Sequence, residues 1–249
     1  MSATLDAPTF QAYYDSCPMV QIKGRQFPVE IQYCPENQIG TSFIVAAVNH
    51  AITIHVDSIG EEGDILVFLP GKSEIERFVE LITPIQAAND MDIFPLHAEM
   101  SRASQYEAID RFCRNGNNRK CIVATNVAET SLTIDGVRFV IDSGLSKQKI
   151  FCPRLRLQML ELRPISQASA KQRAGRAGRT SAGTCIRLYS KKSYDKMAPF
   201  TETAIRCQSL DGALLILAFF KVQNFADFNW ITPPEPELIL RSIQDLKHW

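Results

Sequence analysis

Short apolar runs alternate along the chain with longer stretches in which apolar residues recur at helical spacing. Residues 65–69 form one such run, which ends at Pro70 and Gly71. A helical pattern follows, and Ser73 and Glu76 have the spacing of a capping box at its start. This segment therefore predicts a buried strand, a tight loop and a helix.

The same order of strand, loop and helix recurs through most of the chain. Further strands are predicted at residues 29–33, 92–96, 120–124 and 137–142, and helices at residues 42–56 and 102–112. Buried strands that alternate with helices indicate an α/β fold, with a parallel sheet covered by helices on both faces. Ligands of such sheets bind at the carboxyl ends of the strands, where we expect Thr125, Asn126 and Gln172 to lie.

The pattern changes after Gly144. Residues 147–151 and 155–163 read as two strands joined by a turn that contains Pro153, which predicts a basic β-hairpin protruding from the sheet. A smaller second unit is predicted to begin near residue 200, with an apolar helix at residues 210–220. Residues 214–220 are too few for a membrane span, and we expect them to form helix core rather than a partner surface.

Composition limits the class of protein. The chain has 249 residues, of which 45% are hydrophobic, and no apolar run approaches the length of a membrane span. It contains seven cysteines but no CxxC pair, which argues against a disulfide framework and against a zinc site. We therefore expect an intracellular protein of the nucleus or cytoplasm that is not secreted, with no metal held by its cysteines.

The net charge of zero conceals a basic segment. Residues 147–196 contain 13 lysines and arginines but only Glu161 and Asp195 as acidic residues, so the segment carries +11 and the remainder −11. A local block of this kind points to a polyanionic partner. The alternative is that the acidic remainder balances the segment in space.

The most informative motif is QRAGRAGR at residues 172–179. If these residues open or follow a helix, Gln172, Arg176 and Arg179 share one face. Guanidinium groups bind phosphate oxygens in bidentate fashion, and the intervening alanines and glycines would let the backbone approach a second surface closely. The alternative is a solvated basic helix face, but two glycines would destabilise such a helix without any gain.

Together, the motifs resemble those of the DEAH-box RNA helicases. Residues 65–71 (ILVFLPG) are similar to motif IV of that family, residues 125–135 (TNVAETSLTID) to motif V, and residues 172–179 to motif VI. Residues 147–169 are similar to the intervening hairpin, and residues 1–6 (MSATLD) to motif III.

The resemblance implies a division of the chain into three parts. Residues 1–25 would be a remnant of the first RecA-like lobe, residues 26–200 the second RecA-like lobe, and residues 201–249 the truncated start of a winged-helix domain. The sequence contains neither the P-loop pattern nor a DEAH sequence. We therefore expect this chain to be inactive alone.

The resemblance also implies roles for residues near a nucleotide. Gln172 would position the attacking water, and Arg176 and Arg179 would act as arginine fingers on the terminal phosphates. Ser131 would sense the nucleotide, Asp135 would contact the ribose or the cleft, and Phe112 would stack on the base. The alternatives are that Ser131 and Asp135 cap a helix and a turn, and that Phe112 belongs to the core.

Contacts with RNA follow from the same resemblance. Gly71, through exposed backbone N–H groups, and the side chains of Thr125 and Asn126 would meet the sugar-phosphate backbone without reading bases. In the hairpin, Arg154 and Arg156 would attract RNA or separate strands; the alternative is a solvent-exposed turn. Near the amino terminus, Ser2 and Thr4 would couple the two lobes.

The implied activity is ATP-dependent RNA translocation and unwinding, in processes such as mRNA splicing. The cofactors would be ATP and Mg²⁺, with the Mg²⁺ ligands mainly in a first lobe. The partners would be single-stranded RNA and a G-patch-type activator protein, with no membrane. The alternative function is a non-catalytic RNA-binding or protein-docking module.

Overall fold

The structure is a computed structural model that describes residues 7–20, 27–35, 42–60, 62–85, 88, 90–110, 115, 118–130, 132–152 and 157–247. The chain divides into two compact units. The described residues between 22 and 146 and from 162 to 200 belong to the first unit. Those up to residue 20, from 147 to 161 and from 201 onward belong to the second.

The first unit is built on a six-stranded sheet with the order β1-β8-β5-β2-β4-β3, in which all five neighbouring pairs are parallel. Its strands are β1 (Val29–Tyr33), β2 (Asp64–Phe68), β3 (Met91–Leu96), β4 (Arg119–Ala124), β5 (Val137–Asp142) and β8 (Gly183–Arg187). The predicted parallel sheet is confirmed. Every residue of β2 and β4 is buried, which explains why these strands read as continuous apolar runs.

Helices cover both faces of this sheet, as predicted. They are α2 (Phe43–Asp57), α3 (Lys72–Ile82), α4 (Arg102–Ile109), α5 (Val127–Thr130), α6 (Gln167–Gly175) and α7 (Lys191–Asp195). Successive residues of β2 enter different cores, since Ile65 and Val67 pack with α2 and α3, whereas Leu66 and Phe68 pack on the opposite face. The sheet therefore separates two hydrophobic cores.

Two predicted helix boundaries were wrong. Helix α3 begins at Lys72 with Gly71 as its N-cap, so Ser73 lies inside the helix and its hydroxyl donates to Glu74 rather than capping. The predicted capping box therefore does not form. Helix α4 ends at Ile109 instead of residue 112, and residues 111–114 lie outside the described part of the chain.

The predicted hairpin is a separate two-stranded sheet of β6 (Leu145–Cys152) and β7 (Leu157–Pro164). The first strand begins two residues before its predicted start. Residues 153–156, which include the predicted start of the second strand, lie outside the described residues. All eight residues of β7 are exposed.

The second unit contains α1 (Ala7–Tyr13), α8 (Ala204–Cys207), α9 (Asp211–Phe219) and α10 (Pro236–Leu246). Leu210 and Leu214 pack with α10, but the expectation that residues 214–220 form helix core was wrong for most of them. Four large side chains are more than half exposed: Leu215, Ile216, Phe219 and Phe220. The helix is apolar around most of its circumference, so packing on α10 covers only one side. Among the described residues, no helix has both the length and the apolar character needed to cross a membrane.

Candidate functional site

The residues after β2 and β4 leave the same edge of the sheet. Phe68 and Ala124 are register partners at the ends of these strands, and the Leu69 N–H donates to the Ala124 carbonyl at 2.9 Å. Gly71 follows β2, while Thr125 and Asn126 follow β4. The predicted RNA-facing residues of the two motifs are therefore brought to one edge.

The exposure of these residues differs from the expectation in one case. Asn126 is exposed and Thr125 is half-buried, but Gly71 is buried, so the expected presentation of exposed N–H groups at Gly71 was wrong. As the N-cap of α3, Gly71 accepts a hydrogen bond at its carbonyl from the Ile75 N–H at 3.1 Å.

Helix α6 supplies the first half of the QRAGRAGR motif. The Ser166 side chain caps its start by accepting from the Ser169 N–H at 3.1 Å. The helix ends at Gly175, and Arg176 is its C-cap, so the predicted single helical face for Gln172, Arg176 and Arg179 was wrong. After Gly175 the chain continues as a turn, in which the Ala177 N–H donates to the Ala174 carbonyl at 3.1 Å.

Gly178 makes a close backbone approach of the kind that the small residues suggested. The Phe27 N–H donates to the Gly178 carbonyl at 2.9 Å. A Cβ atom at residue 178 would lie 2.6 Å from the Phe27 carbonyl oxygen and 2.6 Å from a methyl group of Val29. Only a residue without a side chain fits between this turn and the start of β1.

Arg176 is half-buried and attached to the segment that follows β4. Its Nε donates to the Glu129 carbonyl at 3.0 Å, its Nη1 donates to the Leu132 carbonyl at 2.9 Å, and its Nη2 also donates to Glu129. Burial and the nearby charge of Arg179 lower the pKa of Arg176 below its usual value, although Glu129 offsets part of this effect. The guanidinium is thus held against main-chain carbonyls.

The other predicted nucleotide-facing residues differ in exposure. Arg179 is exposed, and its positive charge is one of the causes that lower the pKa of Arg176. Gln172 is half-buried, and Asp135 is exposed just before Gly136. The structure thus brings Arg176 and Arg179 together at the end of α6.

Arg173, to which the sequence analysis assigned no role, is fully buried. Its Nη1 donates to Asp142 Oδ1 at 2.8 Å, its Nε donates to Glu129 Oε2 at 3.2 Å, and its guanidinium lies 4.9 Å from the centre of the Phe68 ring. Burial alone would lower the pKa of Arg173, but the two carboxylates outweigh this effect and raise it. The most buried arginine of the motif is therefore occupied inside the protein.

Asp142 is the centre of this buried network. It is completely buried at the end of β5, where Oδ1 also accepts from the Gly144 N–H at 2.9 Å and Oδ2 accepts from the Tyr189 hydroxyl at 2.9 Å. Burial and the Asp142 charge raise the pKa of Tyr189. Gly144 has φ +72°, and a Cβ atom there would lie 2.5 Å from the Tyr189 ring. The turn after β5 is therefore closely fitted to Asp142 and Tyr189.

A signal for the burial of Arg173 was present in the sequence. Ala170 lies three residues before Arg173, Ala174 directly after it and Ala177 four residues after it. All three alanines are buried. On helical spacing, Ala170 and Ala177 lie on the same face as Arg173. No comparable signal identified Glu129 or Asp142 as its partners.

The basic segment is partly neutralised within the first unit. Arg173 is paired with two carboxylates, and the exposed Lys191 pairs with Asp195 in the following turn. Arg187 is buried, donates to the Tyr33 hydroxyl at 2.6 Å and lies 4.4 Å from the centre of the Tyr194 ring. The alternative, that the acidic remainder balances the segment in space, therefore holds for Arg173, whose partners Glu129 and Asp142 belong to that remainder, whereas Asp195 belongs to the basic segment itself.

A cavity of about 770 Å³ lies in the first unit at the carboxyl ends of β1, β5 and β8. Its lining includes Gly144, Leu145 and Tyr189, which also make hydrogen bonds in the Asp142 and Arg173 network. Cys34 and His50 line it as well, with 3.7 Å between Sγ and Nε2. Burial raises the pKa of Cys34 and lowers that of His50, so both side chains are uncharged at neutral pH.

Six predicted site residues lie outside the described part of the chain: Ser2, Thr4, Phe112, Ser131, Arg154 and Arg156. Their roles stay predictions. Within the described residues, no group of three or more histidine, cysteine, aspartate or glutamate side chains could hold a metal ion.

Comparison with known proteins gives consistent results. The family model described as "Helicase conserved C-terminal domain" matches residues 46–181. Over 254 residues the chain is 42% identical to the Arabidopsis thaliana protein named "ATP-dependent RNA helicase DEAH12, chloroplastic". That match covers 99% of this chain, but this chain spans only 14% of the relative.

Two solved structures share the fold. Crystal structures of Escherichia coli HrpB, described as a DExH-box NTPase and as a DEAH/RHA helicase, each match with a TM-score of 0.86. Their sequence identities are 34% and 33%, and the matches cover 99% of this chain but 30% and 31% of theirs. The six-stranded parallel sheet is therefore a RecA-like sheet, and the chain belongs to the helicase C-terminal domain family, as the corresponding lobe of the DEAH-box type.

Proposed function

We propose that this chain is the second helicase lobe of an ATP-dependent RNA helicase, which acts together with a first lobe. In the complete enzyme, nucleotide binding and hydrolysis are coupled to translocation along RNA and to unwinding. The observation that carries this proposal is the attachment of Arg176 to the segment after β4, through the carbonyls of Glu129 and Leu132. This contact links the predicted phosphate-binding motif directly to the predicted RNA-binding motif.

The geometry of Arg176 suits an arginine finger. Two carbonyls accept from its Nε, Nη1 and Nη2, so the side chain is held in place before any phosphate arrives. An arginine has five N–H donors, and the donors that remain on Nη1 and Nη2 can bind phosphate oxygens. A preorganised guanidinium stabilises transition-state charge without reorganisation during the reaction.

The local charge also fits a nucleotide triphosphate. Arg179 is exposed and close enough to Arg176 to lower its pKa, so the end of α6 carries a concentrated positive charge. Bound anionic phosphates would relieve this repulsion. Gln172, on the last two turns of α6, would position the attacking water, and Mg²⁺ would be held mainly by the first lobe.

The sheet edge beside this site fits an RNA backbone. Thr125 supplies a hydroxyl and Asn126 an exposed amide at the end of β4, next to the segment that leaves β2. These groups bind phosphate and sugar and do not distinguish bases, so we infer binding that is largely independent of RNA sequence. Single-stranded RNA is the proposed substrate.

We further infer that residues 26–200 are the second RecA-like lobe, residues 1–25 a remnant of a first lobe with a linker, and residues 201–249 the truncated start of a winged-helix domain. The proposed nucleotide contacts are Ser131, Asp135 and Phe112. A role in mRNA splicing, a G-patch-type activator and a nuclear or cytoplasmic location belong to the same proposal.

The test uses this chain joined to the first helicase lobe of a DEAH-box relative, which we call the joined protein. We expect RNA-stimulated ATP hydrolysis by the joined protein and none by the 249-residue chain alone. Arg176→Ala or Arg179→Ala should lower kcat by about a thousandfold, the usual effect of an arginine finger. Arg77→Ala is the matched control, since Arg77 is an exposed arginine that pairs only with its helix neighbour Glu80 among the described residues.

Two results would contradict this proposal. Unchanged kcat in both Arg176→Ala and Arg179→Ala would remove the assignment of arginine fingers. Salt-dependent binding of single-stranded RNA by the chain, with no effect of ATP and no turnover in the joined protein, would favour the non-catalytic RNA-binding module instead.

A further inference from the structure

Glu129 makes two different attachments to the end of α6. Its carboxylate Oε2 accepts from the Nε of Arg173 at 3.2 Å. Its main-chain carbonyl accepts from the Nε of Arg176 at 3.0 Å and also from Nη2. One residue therefore holds both a buried arginine and the proposed arginine finger.

The helix that carries Glu129 cannot fix this carbonyl by itself. Helix α5 has four residues, Val127–Thr130, and a single helical turn is unstable without tertiary contacts. Ala128 provides one such contact, because it is completely buried. Val127 packs against the same core, and the ion pair between Glu129 and Arg173 attaches the side chain of Glu129 itself, so the position of the Glu129 carbonyl depends in part on its own side chain.

Arg173 is a rigid anchor for that side chain. It is fully buried, and Asp142, which is also fully buried, accepts from its Nη1 at 2.8 Å. Asp142 is fixed in turn by the Gly144 N–H and by the Tyr189 hydroxyl. The carboxylate of Glu129 thus lies at the end of a series of hydrogen bonds that begins in the sheet.

Stability alone does not account for this arrangement. The desolvation of a buried ion pair offsets most of its Coulomb attraction, and apolar replacement of a whole buried pair is often neutral or stabilising. Such a pair does fix geometry, because separating its partners leaves unpaired buried charges and raises the free energy of the folded state. This geometry directly controls the position of the Glu129 carbonyl, which accepts hydrogen bonds from Arg176.

We propose that Asp142, Arg173 and Glu129 form a positioning device for Arg176, in which the carboxylate of Glu129 sets the place of its own carbonyl. The positioning is a property of this chain alone. Its consequence for ATP turnover rests on the function proposed above, because it requires that Arg176 contact phosphate.

The first test observes the arginine Nε–H groups of the 249-residue chain by ¹⁵N NMR. Arg173 and Arg176 should show slow hydrogen exchange at Nε, because both N–H groups donate to Glu129, whereas the exposed Arg179 should exchange fast. Glu129→Gln keeps the size of the side chain and removes its charge. We expect it to speed exchange at Arg176 Nε by about tenfold, the effect of losing one net hydrogen bond.

Glu80→Gln is the matched control. Glu80 pairs with Arg77 at 2.9 Å on the surface, so its substitution should leave exchange at Arg173 and Arg176 unchanged. Unchanged protection of Arg176 in Glu129→Gln, with faster exchange at Arg173, would overturn the inference. If Glu129→Gln does not fold, Glu129→Asp replaces it, because it keeps the charge but shortens the side chain by one methylene.

The second test measures kcat in the joined protein by a double-mutant cycle. Glu129→Gln should lower kcat by about tenfold with little change in KM for ATP, since a misplaced catalytic group weakens mainly the transition state. On the Arg176→Ala background, the same substitution should change kcat by less than about twofold. If Glu129→Gln lowers kcat by the same factor with and without Arg176→Ala, its role is merely structural and the inference is overturned. If Arg176→Ala alone leaves kcat unchanged, only the proposed function is overturned.

Discussion

Gly178→Ala tests the close approach between the turn after α6 and the start of β1. The added Cβ atom would lie 2.6 Å from the Phe27 carbonyl oxygen, a backbone atom that cannot move alone. Overpacking of this kind costs about 2 kcal/mol. Loss of the hydrogen bond from Phe27 to Gly178 adds about 1 kcal/mol. Stiffening of the unfolded chain opposes these effects by about 0.7 kcal/mol, so we expect a net loss of about 2 kcal/mol.

The assay is thermal and urea unfolding followed by circular dichroism. For a unit of this size, the expected loss lowers the midpoint by about 4–8 °C. Gly212→Ala is the control, because no atom lies within 4 Å of a Cβ atom at that position, which is inside helix α9. That substitution should stabilise the helix slightly. A loss below about 0.5 kcal/mol in Gly178→Ala would refute the reasoning, because it would mean that the start of β1 moves aside freely.

Two further predictions concern buried polar groups of the first unit. Lys120→Met should lower the free energy of unfolding by about 3 kcal/mol in urea titrations, whereas the exposed Lys72→Met should change it by less than about 0.5 kcal/mol. The reason is that Lys120 Nζ donates to three carbonyls at the end of α4, those of Glu107, Ala108 and Asp110. Burial raises the pKa of Cys121 and of Cys185 to about 12, so the folded state keeps protons that the unfolded state loses near pH 9. The contribution of these thiols to the free energy of unfolding should therefore be fully present below pH 9 and be lost between pH 9 and 12. A steeper fall of the free energy of unfolding over this range in the Cys121→Ala, Cys185→Ala double variant, which lacks both thiols, would contradict this.

Much of the fold was predictable because β2 and β4 are buried at every residue, and strands buried on both faces read as continuous apolar runs. The bounds of β1 and β5 also match the prediction, although β1 is mostly exposed. Helix ends were less predictable, because they depend on tertiary contacts. Helix α3 starts at Lys72, where the chain leaves the sheet, and the capping signature at Ser73 had no influence.

The site was predictable only in part. The motif residues Arg176 and Arg179 stood out by their charge and spacing, whereas the buried role of Arg173 depends on partners that are distant in sequence. Asp142 is 31 residues away and Glu129 is 44 residues away. Which carboxylates meet an arginine is decided by the order of strands in the sheet, and residue spacing along the chain carries no information about that order.

The order of strands has a consequence for synthesis of the protein on the ribosome. In the described part of the chain, β1 is an edge strand that pairs only with β8, and Val29 faces Gly183 across about 150 residues of intervening chain. β8 also covers one side of β5. Until β8 has been made, the growing chain therefore exposes the unpaired edge of β5, and β1 lacks the strand with which it pairs. Such edges are templates for aggregation, so the growing chain is exposed to aggregation until β8 has been made.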